Sequence, residues 1–471
     1  MTTSTLPLAP MPPGHWLLGH LRERETNPLG LFLRGREQLG DVVRFRMGPQ
    51  YVEQLAHPDH VKHVLADASA RYTKGSIFAK TRPLVGNGLL TAEGEFWKRQ
   101  RRLSQPAFHK DRLATLAGVI TQTATEAIAG WEAPVAAGTP VPVFTEMMRL
   151  TLNVVVRALF GLDVAGQTQL IGDAFTQALE VTNRRIISPL PYVPWFYRLP
   201  TRDNRLFQRA MDTLHHTVEG LIAQRRAQAR DGQSPPGEDL LGMLMTACDA
   251  DTGDAFDDLQ LRDEVMTLML AGHETTATSL AWTFHLLEQN PEQEALMHEE
   301  VDQVLGGRTP TLEDLPKLRY TGCVFEEAMR LYPPIWALPR TPHEDDEVGG
   351  FRIPKGDIVL LVPYVTHRHP EFWPDPERFD PTRFLPEASR QRPRWAYLPF
   401  GGGQRQCIGN NFAMMEAQFI LAMVAQRFRL RGVPGVPVEP EPLVTLRPKG
   451  PLPMHVHRRQ GKSRTHLASS A

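Results

Sequence analysis

The chain has 471 residues, and 52 Lys and Arg against 53 Asp and Glu leave a net charge of −1, so no overall field draws it to nucleic acid or an anionic membrane. A charged fraction of 22% beside 41% hydrophobic residues excludes wholesale disorder. Three cysteines, Cys248, Cys323 and Cys407, with no CxxC among them, exclude a disulfide framework, a Cys-rich zinc site, a four-thiolate iron–sulfur cluster and a CxxCH haem attachment.

The N-terminus carries no Lys or Arg before Arg22 and no long apolar run, so it reads as no signal peptide. No stretch reaches the ~18 uncharged apolar residues of a membrane span, which predicts a soluble cytoplasmic protein without a transmembrane anchor. The Pro-rich start (Pro7, Pro10, Pro12, Pro13) and the tail GKSRTHLASSA read as loose ends. The expected organisation is a Pro-rich segment over 1–40, a single catalytic domain over 41–455 and a disordered tail over 456–471.

Residues 41–55 predict two short strands around a turn at Gly48 and Pro49, followed by a helix near Asp59–Ala66. From 93 to about 305 the apolar periodicity is helical, with helices at Leu113–Trp131, Phe144–Leu162, Phe207–Arg226 and Leu259–Gln289. The interruption SPLPYVPWFYRLP at 188–200 reads either as a packed loop or as a hydrophobic lid that touches a membrane. A helix over 318–332 leads into short strands near Phe351–Ile353 and Ile358–Pro363 and an irregular stretch over 370–400. The helix Asn410–Phe428 then precedes hairpin-like strands, so the fold class is mainly α with a small β part.

In FGGGQRQCIG, glycines free the backbone to approach a flat partner, and Cys407 sits just before a helix, whose free N–H groups favour a thiolate able to ligate a metal. A lone cysteine also reads as a small buried hydrophobe. By composition, F-x-x-G-x-R-x-C-x-G arises by chance on the order of once in ten thousand chains this long. At these residues the chain resembles a cytochrome P-450, whose haem-thiolate loop this segment matches. The resemblance implies haem b with Cys407 as axial iron ligand, Arg405 on a haem propionate and Phe400 packed near the sulfur.

Ala271-Gly272-His273-Glu274-Thr275-Thr276 lies within the long predicted helix. A zinc HExxH motif is ruled out because Ala277 stands where the second histidine belongs. Gly272 leaves a gap in the helix surface, and the Thr275 hydroxyl is placed to bond back to the carbonyl of Ala271 or Gly272. By the resemblance this long helix crosses over the haem, with the thiolate loop beneath it. Glu274 and Thr275 are then the catalytic pair that supplies protons for O–O cleavage.

Glu327-Ala328-Met329-Arg330 and the Pro376-Glu377-Arg378-Phe379 loop resemble the family's E-x-x-R helix and its partner, implying a buried triad of Glu327, Arg330 and Arg378 with an architectural role. Trp97, Arg101 and Arg340 match haem-propionate positions. The resemblance spans about residues 90–430, with the motifs in the family's order.

The implied reaction is monooxygenation: O₂, two external electrons and two protons insert one oxygen atom into a lipophilic small molecule. Fatty acids, terpenoids and carotenoids are the candidate substrates. The AGHETT and FGGGQRQCIG forms resemble the fatty-acid-hydroxylase and microsomal-like branch, here in a soluble bacterial member. Only 64 residues (471 − 407) follow Cys407, so electrons are expected from a separate partner, a ferredoxin or flavodoxin with an NAD(P)H reductase. Lys98, Arg99, Arg101, Arg102 and Lys110 read either as a face for that acidic partner or as an ordinary solvated surface. A non-catalytic haem protein has no need of the acid–alcohol pair, and a peroxide-driven enzyme or haem-thiolate isomerase ordinarily disrupts it.

Overall fold

Five short strands form the largest sheet: β1 (Val42–Met47), β2 (Gln50–Leu55), β3 (Tyr72–Thr73), β4 (Leu338–Pro342) and β5 (Ile358–Leu361), in the order β1-β2-β5-β4-β3. The computed structural model describes residues 6–161, 165–187, 195–230, 239–249 and 253–459. Residues 188–194 of the Pro-rich interruption and 460–471 of the tail lie outside the described residues, while Val456, His457 and Arg458, expected in a disordered tail, instead pair antiparallel with Leu430, Arg429 and Phe428. In the described part of that interruption, Trp195 and Leu199 are exposed.

The predicted hairpin is present. β1 and β2 pair antiparallel with Phe45 opposite Val52, and Gly48 takes the left-handed φ of 66° that the tight turn requires. β5 joins β2 in parallel, with Val52 opposite Ile358. β4 was not expected, because Pro339 and Pro342 lower the strand propensity of that run. It nevertheless pairs antiparallel with β5, placing Arg340 opposite Val359.

The Pro-rich stretch from Pro7 is not loose. The Arg44 N–H donates to the Pro10 carbonyl at 2.9 Å and the Arg352 N–H to the Pro7 carbonyl at 2.9 Å. Helix α1 (Pro28–Leu39) follows, capped by Asn27, whose side chain accepts from the Gly30 N–H. It buries Leu29, Leu31 and Phe32, and the Phe32 ring meets Phe45 edge-on at 5.4 Å. Its proline, Pro28, stands at the first helical position, where the missing N–H has no intrahelical partner to lose.

The helices that frame the site are α2 (Gly94–Ser104), α3 (Val143–Phe160), α4 (Ala165–Ile187), α5 (Arg202–Arg230), α6 (Asp258–Gln289), α7 (Arg319–Leu331) and α8 (Asn410–Arg427). α6 runs about 48 Å at 1.5 Å per residue and starts from a capping box of Asp257 and Gln260. Its second half is buried all round, as expected of a helix through the centre of a large core. Where α6 crosses α3, a Cβ at Gly272 would stand 2.8 Å from Val155 Cγ2. The gap expected at Gly272 is therefore filled by Val155.

Glu327 and Arg330 on α7 are both fully buried and pair through Nε at 2.7 Å and Nη2 at 2.8 Å. Arg330 also donates to the carbonyls of His367 (3.0 Å), Pro376 (2.6 Å) and Arg378 (3.0 Å). The expected triad needs correction on this point. The Arg378 side chain is exposed and supplies only its backbone oxygen, while Arg383 stands 3.5 Å from Glu327. Asp375 turns the chain with a positive φ of 54°, three residues before Arg378.

Candidate active site

One cavity of about 340 Å³ lies between α6 on one side and the loop before α8 on the other. Its wall is mostly apolar, with Leu89, Leu90, Val155, Leu159, Leu179 and Ile335 among the lining residues. Cys407, Phe400, Gly401 and Gly402 line one side, and Ala271, Gly272, Glu274 and Thr275 line another.

Cys407 presents its surface to this cavity, and its own N–H donates to the Phe400 carbonyl at 2.9 Å, which closes the loop on itself. Burial pushes the thiol above its ordinary value, against the downward pull of the Gly409 N–H and the nearby Arg101. The helix start alone therefore does not make the thiolate, which a coordinated cation would secure. Two of the glycines also serve the packing of the loop itself. A Cβ at Gly403, where φ is 67°, would overlap the Leu65 carbonyl, and one at Gly402 would overlap the Trp395 ring. They let the loop pack on the protein itself.

Four cations line the cavity among the described residues: Lys74, Arg101, Arg340 and Arg405. Arg405 lies over the Trp97 ring at 3.8 Å and donates to the Ala92 carbonyl at 2.8 Å and to Glu93 at 2.7 Å. Arg340, on β4, donates to the Pro339 carbonyl at 2.8 Å. Arg101 donates to the Gln406 carbonyl at 2.9 Å, which steadies the residue before Cys407. Burial lowers Arg340 and Arg405 to about 10 each, with Glu93 opposing both shifts. Burial, reinforced by Arg405 and Arg340, lowers Lys74 to about 7.

Lys74 escaped the sequence reading, since a single lysine in a Gly-containing turn carries no local signal. Its Nζ donates to the Leu90 carbonyl, and its backbone N–H reaches Glu93 at 2.7 Å. Three buried cations, Lys74, Arg340 and Arg405, share one carboxylate, Glu93, which leaves the cluster short of negative charge. The two carboxylates of haem b would supply that deficit. With a soft thiol donor and a mostly apolar wall, these residues fit the cofactor that the motifs implied.

Glu274 and Thr275 are neighbours in sequence but do not touch, because adjacent helix positions point about 100° apart. The Thr275 hydroxyl donates back to the Ala271 carbonyl at 2.7 Å, one of the two acceptors expected. Glu274 is buried and accepts from the Thr445 hydroxyl at 2.7 Å. Burial raises the Glu274 carboxyl above its ordinary range, opposed by Thr445 and Arg447. Thr445 is a second residue that sequence reasoning missed.

The basic run is mostly occupied internally. Arg99 donates to the Ala255 carbonyl at 2.8 Å and Arg102 to Asp249 at 2.8 Å, while Lys98 pairs with Glu95 at 2.6 Å. The Lys110 side chain lies outside the described residues. Among the described residues no helix is long and apolar enough to cross a membrane.

A family model described as Cytochrome P450 matches residues 9–453. The chain is 41% identical over 444 residues to cyclooctatin synthase of Streptomyces melanosporofaciens, covering 94% of each protein. It is 39% identical over 442 residues to cyclooctat-9-en-7-ol 5-monooxygenase of the same organism, covering 93% of this chain and 92% of that one. Among solved structures, the crystal structure of the cytochrome P450DA heme domain superposes with a TM-score of 0.87 at 28% identity, covering 97% of this chain and 99% of that one.

Proposed function

The chain belongs to the cytochrome P450 family and is a haem-thiolate monooxygenase of lipophilic substrates, and from that premise we propose that its substrate is a terpenoid and that Cys407, Glu274 and Thr275 carry the chemistry. The observation that carries the assignment of residues is the cavity itself, with the Cys407 sulfur on one wall and Glu274 and Thr275 on another.

Haem, when bound, supplies the activation of O₂ with two external electrons, so that one oxygen atom enters a C–H bond and the other leaves as water. Cys407 would hold the iron, and Arg101 fixes the backbone before it through the Gln406 carbonyl. Lys74, Arg340 and Arg405 would hold the propionates, with Trp97 stacked under Arg405, and Phe400 lines the same cavity as Cys407. Burial raises the Glu274 carboxyl above its ordinary range, so it keeps a proton to higher pH than an exposed glutamate and is suited to pass it on. Thr275 offers its hydroxyl to the cavity after leaving the Ala271 carbonyl. Leu89, Leu90, Val155 and Leu159 exclude other water from the reacting bond.

Two points favour a terpenoid over a fatty acid. Every cation on the described cavity wall belongs to the cofactor site, which leaves none there to anchor a substrate carboxylate. The two relatives described above also support it, one of them named for oxygenation of an unsaturated alcohol. Electrons come from a redox partner, here a small ferredoxin or flavodoxin with an NAD(P)H reductase in the cytoplasm, docking beside the exposed Gln404 of the thiolate loop.

Reduced protein under carbon monoxide is expected to absorb at ~450 nm, and Cys407→Ala is expected to abolish that band. A band at ~420 nm from fresh wild-type protein in mild buffer would overturn the thiolate assignment. Polycyclic terpene alcohols are expected to shift the spin state where long-chain fatty acids do not. The reverse order would overturn the substrate class.

A further inference from the structure

The segment from Gly86 to Glu93 forms part of the cavity wall through Leu89 and Leu90 and is held at both ends. At its far end Arg405 takes the Ala92 carbonyl and Glu93, and Lys74 takes the Leu90 carbonyl. At its near end two consecutive carboxyls of α6 capture its backbone. The Asn87 N–H donates to Asp263 Oδ2 at 2.7 Å and the Leu89 N–H to Glu264 Oε2 at 3.1 Å. Between these anchors the Thr91 hydroxyl donates to the Gly86 carbonyl at 2.6 Å.

The backbone lies directly on the helix. A Cβ at Gly86 would overlap the Asp263 carboxyl, and one at Gly88 would overlap Thr267 Oγ1 and stand 2.6 Å from the Asp263 carbonyl oxygen. Asp263 is itself held by Arg262 at 3.1 Å, and Arg262 reaches Glu219 of α5 at 3.1 Å. Glu264 is fully buried, and its Oε1 has no hydrogen-bond partner among the described residues.

We propose that Glu264, with Asp263, is a specificity-determining positioning residue, setting how far Leu89 and Leu90 project into the substrate cavity. The proposal rests on the reading of this cavity as the haem and substrate site. A carboxyl that touches neither cofactor nor substrate then fixes one wall of the pocket by gripping main chain, whatever side chains the segment carries. Burial raises Glu264 to about 8, so at neutral pH it acts as a neutral hydrogen-bond acceptor, a part glutamine can also play.

The test is an optical titration of the haem-loaded full chain with imidazole and with 4-phenylimidazole, nitrogen donors of small and large bulk. The readout is the ratio of their dissociation constants. Glu264→Gln keeps the acceptor and is expected to leave the ratio within about twofold of wild type, whereas Glu264→Leu frees the Leu89 N–H and shifts it toward the bulky ligand by about fivefold, the worth of one net hydrogen bond. An unchanged ratio in Glu264→Leu, or an equal shift in Glu264→Gln, overturns the proposal. Where Glu264→Leu fails to retain haem, Gly88→Ala decides: its Cβ lifts the same backbone off α6 and must shift the ratio the same way, and an unchanged ratio overturns the proposal. If neither azole perturbs the wild-type spectrum, the haem-site reading itself fails, which is a distinct result.

Discussion

Arg330 makes five hydrogen bonds from a fully buried guanidinium, two to Glu327 and three to the carbonyls of His367, Pro376 and Arg378. Arg330→Lys keeps the charge but offers three N–H donors, so at least two buried acceptors lose their partner. At ~1–3 kcal/mol for each unsatisfied group, the expected loss is ~2–6 kcal/mol. That is a large share of the ~5–15 kcal/mol stability of an ordinary domain. Two controls separate side chain from backbone. Arg378→Ala keeps the carbonyl that Arg330 uses and removes an exposed side chain, so its effect stays within ~0.5 kcal/mol. Arg383→Ala removes the cation 3.5 Å from Glu327 and a donor to the Asp375 carbonyl, and costs ~1–2 kcal/mol. Urea unfolding of the haem-loaded chain, followed by haem absorbance and far-ultraviolet circular dichroism, orders the three variants. A loss in Arg378→Ala that exceeds Arg383→Ala would refute the backbone role and restore the side-chain triad.

Thr275→Ala is expected to retain haem but to divert electrons into hydrogen peroxide, lowering product per reductant consumed by about tenfold or more; unchanged coupling removes Thr275 from proton delivery. Thr445→Val deletes the hydroxyl that stabilises the charged form of Glu274, so the already raised carboxyl rises further. Turnover that draws on protonated Glu274 is lost as pH climbs through that value. The alkaline limb of the rate profile therefore moves to higher pH in Thr445→Val, and a limb that stays or falls contradicts the assignment. Gly403→Ala forces a left-handed φ on alanine at a cost of ~1–2 kcal/mol and pushes the thiolate loop off the Leu65 carbonyl, so haem content after purification should fall. Full haem occupancy in that variant would show the loop to be more pliant than its packing indicates.

Much of the frame was legible because its signals are local. The helical period over 259–289, the Gly48 turn, Cys407 before a helix and Glu327 three residues from Arg330 are contiguous patterns whose physics acts within one or two turns. Misreadings arose where a local rule met a tertiary override. The sequence reading placed neither strand β4 nor helix α1, yet pairing with β5 and burial of Phe32 form both. Glu274 and Thr275 read as one catalytic pair, yet the helix sends one toward Thr445 and leaves the other on its own backbone.

From its order of residues alone this chain determines a thiolate loop, a long helix bearing an acid and an alcohol, and a mainly helical fold around them. Only the tertiary structure decides which cations surround the cofactor, which residue steadies Glu274 and which carboxyls grip the cavity wall. Thr445 lies 171 residues from Glu274, Glu93 lies 312 from Arg405, and Leu89 lies 175 from Glu264. No spacing rule spans such separations. The pairings follow from desolvation, since a charge or amide buried by folding must find whichever partner the packed core brings within about 3 Å.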